Sequence, residues 1–415
     1  MRFTTAITIM VGLTLAACGG KSNTSSPDAS VKTDVNKGGT SAGKPSQTTP
    51  TKQPWKYQEN MDKAVAWTLK NQKKAGDWGT MMSRPYDIYL GNLNSLHVWG
   101  NASTSLIAMG LLRQPETPEI NTALDKALEY LIAAPDTPRA SSSTFYNVWA
   151  HAYMLQGLLR GAADPRFKRL KVRLRKRASH ELRYLLKHQA IDGGWGYYDF
   201  RHRTKTPSGN SSTPFTTAAA IVALKEVQMA GLRIEANSEA ESAGLKDHNV
   251  QVGLEYLKRH RIPNGAYYYS SGHMGYPLGS ANQIRGSIGR SQSGDNAMAT
   301  HGFLLKTEDI KAALDTFFKE HIYIFMGKGR QMPHESWYAT APYYYYFGHY
   351  YASRNVLQLD QKDQSEYGQR LAEFIVPEQY DDGSFWDYPL YGYAKAYGTG
   401  YVLNIFANCK QAMEE

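Results

Sequence analysis

One spacing recurs along this chain and limits what the chain can fold into. An aromatic residue is followed by Gln five positions later, by Gly four positions after that, and by a second aromatic residue two positions further on. Full copies are Trp67, Gln72, Gly76, Trp78; Tyr184, Gln189, Gly193, Trp195; and Phe374, Gln379, Gly383, Phe385. A fourth copy has Arg instead of Gln: Tyr256, Arg261, Gly265, Tyr267. Internal repetition at such intervals indicates a fold assembled from repeated units.

Each copy of this motif is here called a clasp, and the copy with Arg is called the fourth clasp. Each clasp follows a stretch with helical periodicity. Apolar residues before the fourth clasp fall at i, i+3, i+4 and i+7, which is one face of an α-helix: Val250, Gly253, Leu254, Leu257. Two further stretches carry the same stripe without a clasp, Leu124 to Leu131 and Ile310 to Phe317. The corresponding aromatic residues then stand at positions 67, 130, 184, 256, 317 and 374. This near-regular interval predicts six amphipathic helices.

The segments between these helices are apolar or rich in small residues on every side. They are 102–112, 146–159, 215–229, 295–305, 337–351 and 397–408. Helices that are apolar all round are usually enclosed by other helices. We therefore predict an all-α fold, an α6/α6 toroid of six helical hairpins with an outer ring, an inner ring and a central cavity. No strand-like alternation of useful length competes with this prediction.

The N-terminus predicts export and lipid anchoring. Arg2 precedes a short apolar run, 6–15, and small residues lead directly to Cys18, as in a lipobox. We expect residues 1–17 to be a lipoprotein signal peptide and Cys18 to be lipidated; the alternative is an ordinary signal peptide with a chance cysteine. Residues 18–53 are rich in Ser, Thr, Pro and Gly and predict a flexible, disordered tether. Residues 54–415 are then expected to form a single toroid domain. We expect this domain to lie in the bacterial cell envelope, in the periplasm or on the outer-membrane face, with the membrane as its partner.

Composition narrows the classes of function. Cys409 is the one cysteine besides Cys18, so we expect no intrachain disulfide and no metal site, and no motif implies a cofactor. The net charge of +10 permits acidic polymers or lipid head groups as partners, although solubility alone also explains it. Its densest run, 166–177, is typical of a solvated helix face. The stretch 286–294 lacks the lysine and preceding strand of a phosphate loop, and nothing predicts nucleic-acid binding.

The clasp resembles the QW repeat of squalene and hopene cyclases, and the hairpins are similar to those of protein prenyltransferase β subunits, over residues 55–409. The resemblance implies a structural role, in which Gln bonds backbone groups at a helix end and stacks its amide on the indole. The Gly is expected to take a positive φ. The clasp residues are Gln72, Trp78, Gln189, Trp195, Gln379 and Phe385. The cyclases' Asp-x-Asp-Asp motif, the prenyltransferases' zinc ligands and the Cys-Gly-Glu-Gln thioester of complement-like toroids are absent, so none of these activities transfers by motif.

Polar and aromatic residues near the starts of the inner helices predict a ligand site. Two long loops, 197–213 and 265–290, have the Tyr, Ser, Gly and Arg content of ligand-contacting loops. The candidate binding residues are His97, Trp99, Asn147, Arg290, His334, Glu335 and Trp337, and the candidate catalytic residues are His151, His301, Tyr338 and Asp295. Structural alternatives remain open: His151 and His301 as hydrogen-bonded core residues, and Asp295 with Asn296 as a helix cap.

Three functions are compatible with these residues. The first is binding of a ligand in an aromatic and polar central cavity. This ligand is polymeric or a lipid: a glycan, a peptide or a lipid. The second is β-elimination from an anionic polysaccharide, with Asn147 or Arg290 neutralising the carboxylate, His151 or His301 as base, and Tyr338 as acid. The third is a divergent terpenoid cyclase in which Asp295 or Glu335 supplies the acid alone. A site of the second kind requires His151, His301, Arg290 and Tyr338 to meet at one cavity.

Overall fold

Amphipathic and uniformly apolar helices alternate along the chain. The computed structural model describes residues 55–79, 93–141, 144, 146–197, 206–232, 239–329, 340–387 and 392–414. Outside these ranges lie the predicted signal peptide, Cys18 and the predicted tether through residue 53. The candidate residues His334, Glu335, Trp337 and Tyr338 also lie outside them. Within them the protein is all-helical, and the only β features are isolated bridges.

The helices fall into two sets. The outer set is α1 (Gln58–Asn71), α3 (Pro118–Ala133), α5 (Lys171–Lys187), α7 (Glu239–His260), α9 (Thr307–Lys319) and α12 (Gln361–Ile375). The inner set is α2 (Leu93–Leu111), α4 (Asn147–Ala163), α6 (Pro214–Met229), α8 (Ile284–Thr300), α11 (Tyr345–Val356) and α13 (Gly392–Glu414). A single turn, α10 (Ile322–Phe325), follows α9. The outer helices bury one face; α5, for example, buries Leu174, Ala178, Glu181, Leu182 and Leu185.

The inner helices form a closed ring. They pack in the order α2, α4, α6, α8, α11, α13, and α13 packs against α2 again. The outer helices lie against this ring, as α5 does on α4 and α12 does on α13. The predicted α6/α6 toroid is therefore confirmed. No helix among the described residues combines the length and apolar character that crossing a bilayer would require.

One inner helix begins earlier than its sequence predicts. Residues up to 290 were expected to form a loop, with an inner helix over 295–305, but α8 runs from Ile284 to Thr300. Apart from Ile284 and Ile288, its first half consists of Gly, Ser, Arg and Gln, so apolar periodicity does not reveal that this segment is a buried helix. Small residues are needed there because a Cβ on Gly348 of α11 would lie 2.7 Å from the Cα of Gly289. The two backbones therefore approach each other closely at this point.

The clasps join consecutive outer helices. The Nε2 of Gln72 donates to the carbonyl of its own Gly76 at 2.9 Å and to that of Ala123 in α3 at 2.8 Å. Gln189 makes the same pair of bonds, to Gly193 and to Asn249 in α7. The four clasp glycines have φ between 88° and 100°. The predicted backbone bonds of Gln and the positive φ of Gly are confirmed.

The aromatic residue that ends each clasp is tied to both helix layers. The indole nitrogen of Trp78 donates to Thr68 O of α1 at 2.8 Å, and that of Trp195 to Leu185 O of α5 at 2.7 Å. The backbone N–H of Trp195 donates to the Thr217 hydroxyl of α6 at 2.9 Å. The last clasp closes the ring, because Gln379 donates to Asn60 O in α1 at 2.8 Å.

Candidate functional site

Each clasp leads from the end of an outer helix to the start of an inner one, so the inner helices begin at one end of the ring, here called the mouth. A group of stacked rings lies there: Trp99, Tyr146, Trp149, Tyr197 and Phe215, which we call the aromatic platform. Trp99 and Tyr146 have ring centres 4.6 Å apart. The rings of Tyr146 and Tyr197 are stacked at 6.0 Å with 4° between their planes. Trp99, Tyr146 and Tyr197 are half-buried, so part of each ring faces outward.

The backbone of the platform contains a strained residue. Tyr146, which precedes α4, has φ 70° and ψ 12°, a left-handed conformation that bulky residues rarely adopt. Its ring contacts Trp99, Trp149 and Tyr197. Such strain persists where the surroundings determine the conformation, and it is concentrated at functional sites.

A small cavity lies next to the platform at the centre of the ring. The cavity among the described residues has a volume of about 60 Å³ and is lined by Trp99, Ala102, Leu106, Trp149, Tyr153, Tyr343, Tyr344, Phe347, Tyr397 and Tyr401. The hydroxyls of Tyr153 and Tyr401 meet across it at 2.7 Å. Sites that enclose a drug-sized ligand usually have about 300–1,000 Å³. This cavity, whose walls are mainly tyrosine and other aromatic residues, is smaller than such sites.

Arg290 of α8 is a buried cation surrounded by aromatic rings. Its guanidinium carbon lies 5.0 Å from the ring centre of Tyr269, 5.6 Å from Tyr344 and 5.8 Å from Phe215. The side chain is 1% exposed. Nη2 donates to the carbonyls of Ala281 at 2.5 Å and Gly286 at 3.0 Å. Burial lowers the pKa of Arg290, with the nearby tyrosines opposing the shift.

No carboxylate balances the charge of Arg290 among the described residues. Its Nε and Nη1 are buried without a hydrogen-bond partner there. A buried charge that lacks both a counterion and hydrogen bonds is costly, so such a group is suited to an anionic ligand.

A pair of tyrosines lies next to this arginine. The hydroxyls of Tyr197 and Tyr269 are 2.5 Å apart, and Tyr269 is the ring closest to the guanidinium. Tyr146, Tyr197, Tyr269 and Tyr344 were not singled out from the sequence. The only signal for Tyr197 and Tyr269 was the tyrosine content of the two long loops that contain them.

His151 and Asn147 lie behind the platform, in the layer between α4 and α5. His151 Nδ1 is 2.6 Å from Glu181 Oε2, and Arg177 donates to the other oxygen of Glu181 at 2.6 Å. Burial opposes ionisation of Glu181, but the bonds and charges of His151 and Arg177 hold its pKa below the ordinary value. Asn147, one turn earlier, lines a small pocket with His188. His151 is therefore part of a buried polar cluster in the helix layer.

His301 does not share a cavity with Arg290. It caps the C-terminal end of α8, with Nε2 3.3 Å from Ile221 O, whereas Arg290 lies near the start of that helix. Eleven residues of α-helix separate the two along the axis by about 16 Å. The expected meeting of His151, His301 and Arg290 at one site is wrong for this reason.

The remaining candidates have local partners. Asp295 is buried and accepts from Arg261 Nε at 3.0 Å and from the Tyr267 hydroxyl at 2.9 Å, so it supports the fourth clasp. Burial raises the pKa of Asp295, although Arg261 and Tyr267 oppose the shift. His97 Nε2 lies 3.2 Å from Pro135 O, on the side of α2 away from the platform partners of Trp99. No group of metal-ligating side chains is found in the described residues.

Comparison with known proteins supports the fold. No protein-family model matches the chain, and no curated protein matches it. Among solved structures, a variant of the type II terpene cyclase MstE from Scytonema, in complex with merosterolic acid A, has a TM-score of 0.50 at 13% identity, covering 86% of this chain and 97% of that one. An α-1,6-mannanase from Salegentibacter has a TM-score of 0.48 at 12% identity, covering 86% and 100%. A polysaccharide lyase has 0.47 at 12%, covering 85% and 96%.

Proposed function

We propose that the protein binds an acidic glycan at the mouth of the toroid. The aromatic platform holds the sugar rings, and Arg290 receives a carboxylate. The observation that carries this proposal is a fully buried guanidinium whose Nε and Nη1 have no hydrogen-bond partner, next to half-buried Tyr269 and to Phe215 of the platform.

The chemistry of a uronic acid matches both features. The C–H face of a pyranose ring is apolar and flat enough to pack on Trp or Tyr, whose rings provide a large contact area at little entropic cost. A carboxylate forms charge-assisted hydrogen bonds with guanidinium N–H groups, and these are stronger in a site that excludes water. The inner helices also direct the positive ends of their dipoles toward the mouth, which favours an anion.

The other ligand classes have less support. A polyprenyl chain needs a deep apolar cavity, and the described centre offers about 60 Å³. Of the two carboxylates that a cyclase could use as its acid, Asp295 is bonded to Arg261 and Tyr267 of the fourth clasp. The other, Glu335, lies outside the described residues. Terpenoid cyclisation is therefore not proposed.

Glycan cleavage is a second candidate, favoured by the tyrosine pair. In β-elimination a base removes the C5 proton of a uronate, the bond from C4 to the glycosidic oxygen breaks, and an acid protonates that oxygen. Arg290 would neutralise the carboxylate, and the hydroxyls of Tyr197 and Tyr269, 2.5 Å apart, would move the protons. They replace His151 and His301 in these roles.

The test uses oligosaccharides of alginate, pectate and glycosaminoglycans, with neutral mannan oligosaccharides for comparison. Calorimetry is expected to detect binding of at least one acidic oligosaccharide, weakened about tenfold or more in Trp99→Ala, since central aromatic contacts often contribute about 2 kcal/mol. Arg290→Met should remove the preference for acidic over neutral chains. Tyr57→Ala, at the opposite end of the ring, is the matched control and should bind normally.

The same samples separate binding from turnover. Unsaturated products that absorb in the ultraviolet would establish the lyase, and their absence from samples that bind leaves binding as the function. If no acidic oligosaccharide binds to the unmodified protein, both proposals fail.

We also propose that the protein is exported and anchored to the cell envelope through a lipid on Cys18. The support is the order of positive residue, short apolar run and small residues before the cysteine. An acidic envelope polysaccharide would then be within reach of the tethered toroid.

A further inference from the structure

The fourth clasp differs in packing from the other three. At Gly76, Gly193 and Gly383 an added Cβ would collide with the next outer helix, at Lys126, Val252 and Lys63 respectively. At Gly265 the nearest atom to an added Cβ is Nη2 of Arg261 in the same clasp, at 3.8 Å. Helix α9 therefore stands away from the fourth clasp, although the glycine has the same backbone conformation, φ 88°.

The substitution of Gln by Arg explains this separation. In the intact clasps Gln donates to an outer-helix carbonyl three residues before the contact residue: Ala123, Asn249 or Asn60. By the spacing from the helix aromatic, the corresponding carbonyl in α9 is that of Ile310. Ala313 stands at the position of the contact residue, and its carbonyl accepts from Gln292 of α8 at 3.0 Å. Arg261 turns inward and pairs with Asp295. No bond of the kind that Gln makes joins this clasp to α9.

A cleft of about 230 Å³ lies where the other clasps are closed. Its walls are the fourth clasp, α8 and α9, with the residues Arg261, Pro263, Asn264, Gly265, Ala266, Ile284, Ile288, Ser291, Gln292, Asp309, Ala312, Ala313 and Thr316. It is larger than the cavity of about 60 Å³ at the centre of the ring. One wall is apolar, through Ile284 and Ile288, and another carries the polar groups of Arg261 and Asp309.

Charge and size restrict the ligand. The charge of Arg261 is cancelled by Asp295, 3.0 Å away, which leaves the exposed carboxylate of Asp309. A cleft with this balance repels anions and offers both donors and acceptors to hydroxyl groups. Its volume is below the roughly 300–1,000 Å³ of sites for drug-sized ligands and suits one sugar ring.

We propose that this fourth-clasp cleft binds a single neutral sugar ring, packed by its C–H face on Ile284 and Ile288 and hydrogen-bonded to Arg261 and Asp309. The site lies between α8 and α9 and shares no lining residue with the aromatic platform, and its charge preference is opposite to that of Arg290. It does not depend on the proposed glycan site.

The experiment uses the full chain carrying Trp99→Ala and Arg290→Met, so that both the aromatic contact and the cation of the proposed glycan site are removed. Saturation-transfer NMR is run with glucose, galactose, mannose and N-acetylglucosamine, and with glucuronate as the anionic probe. At least one neutral sugar should give a signal and glucuronate should give none. Adding Ala313→Met, which fills the cleft, should abolish the signal, whereas Lys319→Met, the same side chain on α9 outside the cleft, should preserve it.

A second variant tests the origin of the cleft. Arg261→Gln with Asp295→Asn restores the clasp glutamine without leaving a buried carboxylate unpaired, and it should draw α9 inward and abolish binding. Thermal unfolding of every variant shows whether a lost signal reflects a lost fold. Absence of any neutral-sugar signal, or a signal that persists in a folded Ala313→Met protein, overturns the proposal.

Discussion

Several histidines are buried among aromatic rings as neutral side chains. Burial lowers the pKa of His188 from 6.5 to about 3, with the charges of His151 and Arg139 adding to the shift. It lowers the pKa of His321 to about 4. His321 and His349 place their Nε2 atoms 2.9 Å apart, so one ring donates and the other must be neutral to accept. These residues make the folded state sensitive to acid.

Stability should fall as the pH drops below about 6.5. In the folded protein His188 stays neutral down to about pH 3, whereas the unfolded chain takes up its proton near 6.5. The unfolded state therefore binds more protons in this window, and His188 alone should cost about 2 kcal/mol of unfolding free energy between pH 7.5 and pH 5. Urea denaturation at both pH values measures the loss. His188→Gln should lose less than the unmodified protein, and exposed His248→Gln should not differ from it.

At the scale of elements, the clasps decide how tightly outer helices pack. The glycines of the second and fourth clasps have nearly the same φ, 92° at Gly193 and 88° at Gly265, but different surroundings. A Cβ at Gly193 would lie 2.8 Å from Val252 O in α7, whereas Gly265 faces the open cleft. Substitutions at Gly193 and Gly265 therefore separate two contributions to the free energy of unfolding, one from backbone conformation and one from packing.

Gly265→Ala should therefore destabilise the protein by about 1–2 kcal/mol through the left-handed conformation alone. Gly193→Ala should cost a further 1–3 kcal/mol or so, because α7 must move. Equilibrium unfolding in urea gives both values. Equal losses in the two variants would contradict the packing difference.

At the scale of the whole molecule, the ring could be predicted from sequence because each outer helix buries one face and ends in a recognisable clasp. The site could not. Arg290 was identified as a polar residue near an inner helix, but its surrounding rings, Tyr269, Tyr344 and Phe215, come from separate segments that meet only in the closed ring. Polar α8 lacks apolar periodicity, so its start at Ile284 was missed.

The proposed localisation in the cell envelope also concerns the whole molecule. Under the proposed anchoring, Cys18→Ser should release the protein from the membrane fraction into the soluble periplasmic fraction, because Cys18 would carry the entire lipid attachment. Fractionation and metabolic labelling with a radioactive fatty acid measure this in a bacterial host. Unchanged membrane association, or no label on the unmodified protein, would refute anchoring through Cys18.

The bond between Gln379 and Asn60 joins parts of the chain 319 positions apart. Helix α1 is among the first parts of the toroid to be synthesised, and α13, on which it packs, is the last. During translation, the surfaces of α1 and α2 that pack on α13 stay uncovered until α13 has been synthesised. The ring can therefore close only after α13 has left the ribosome.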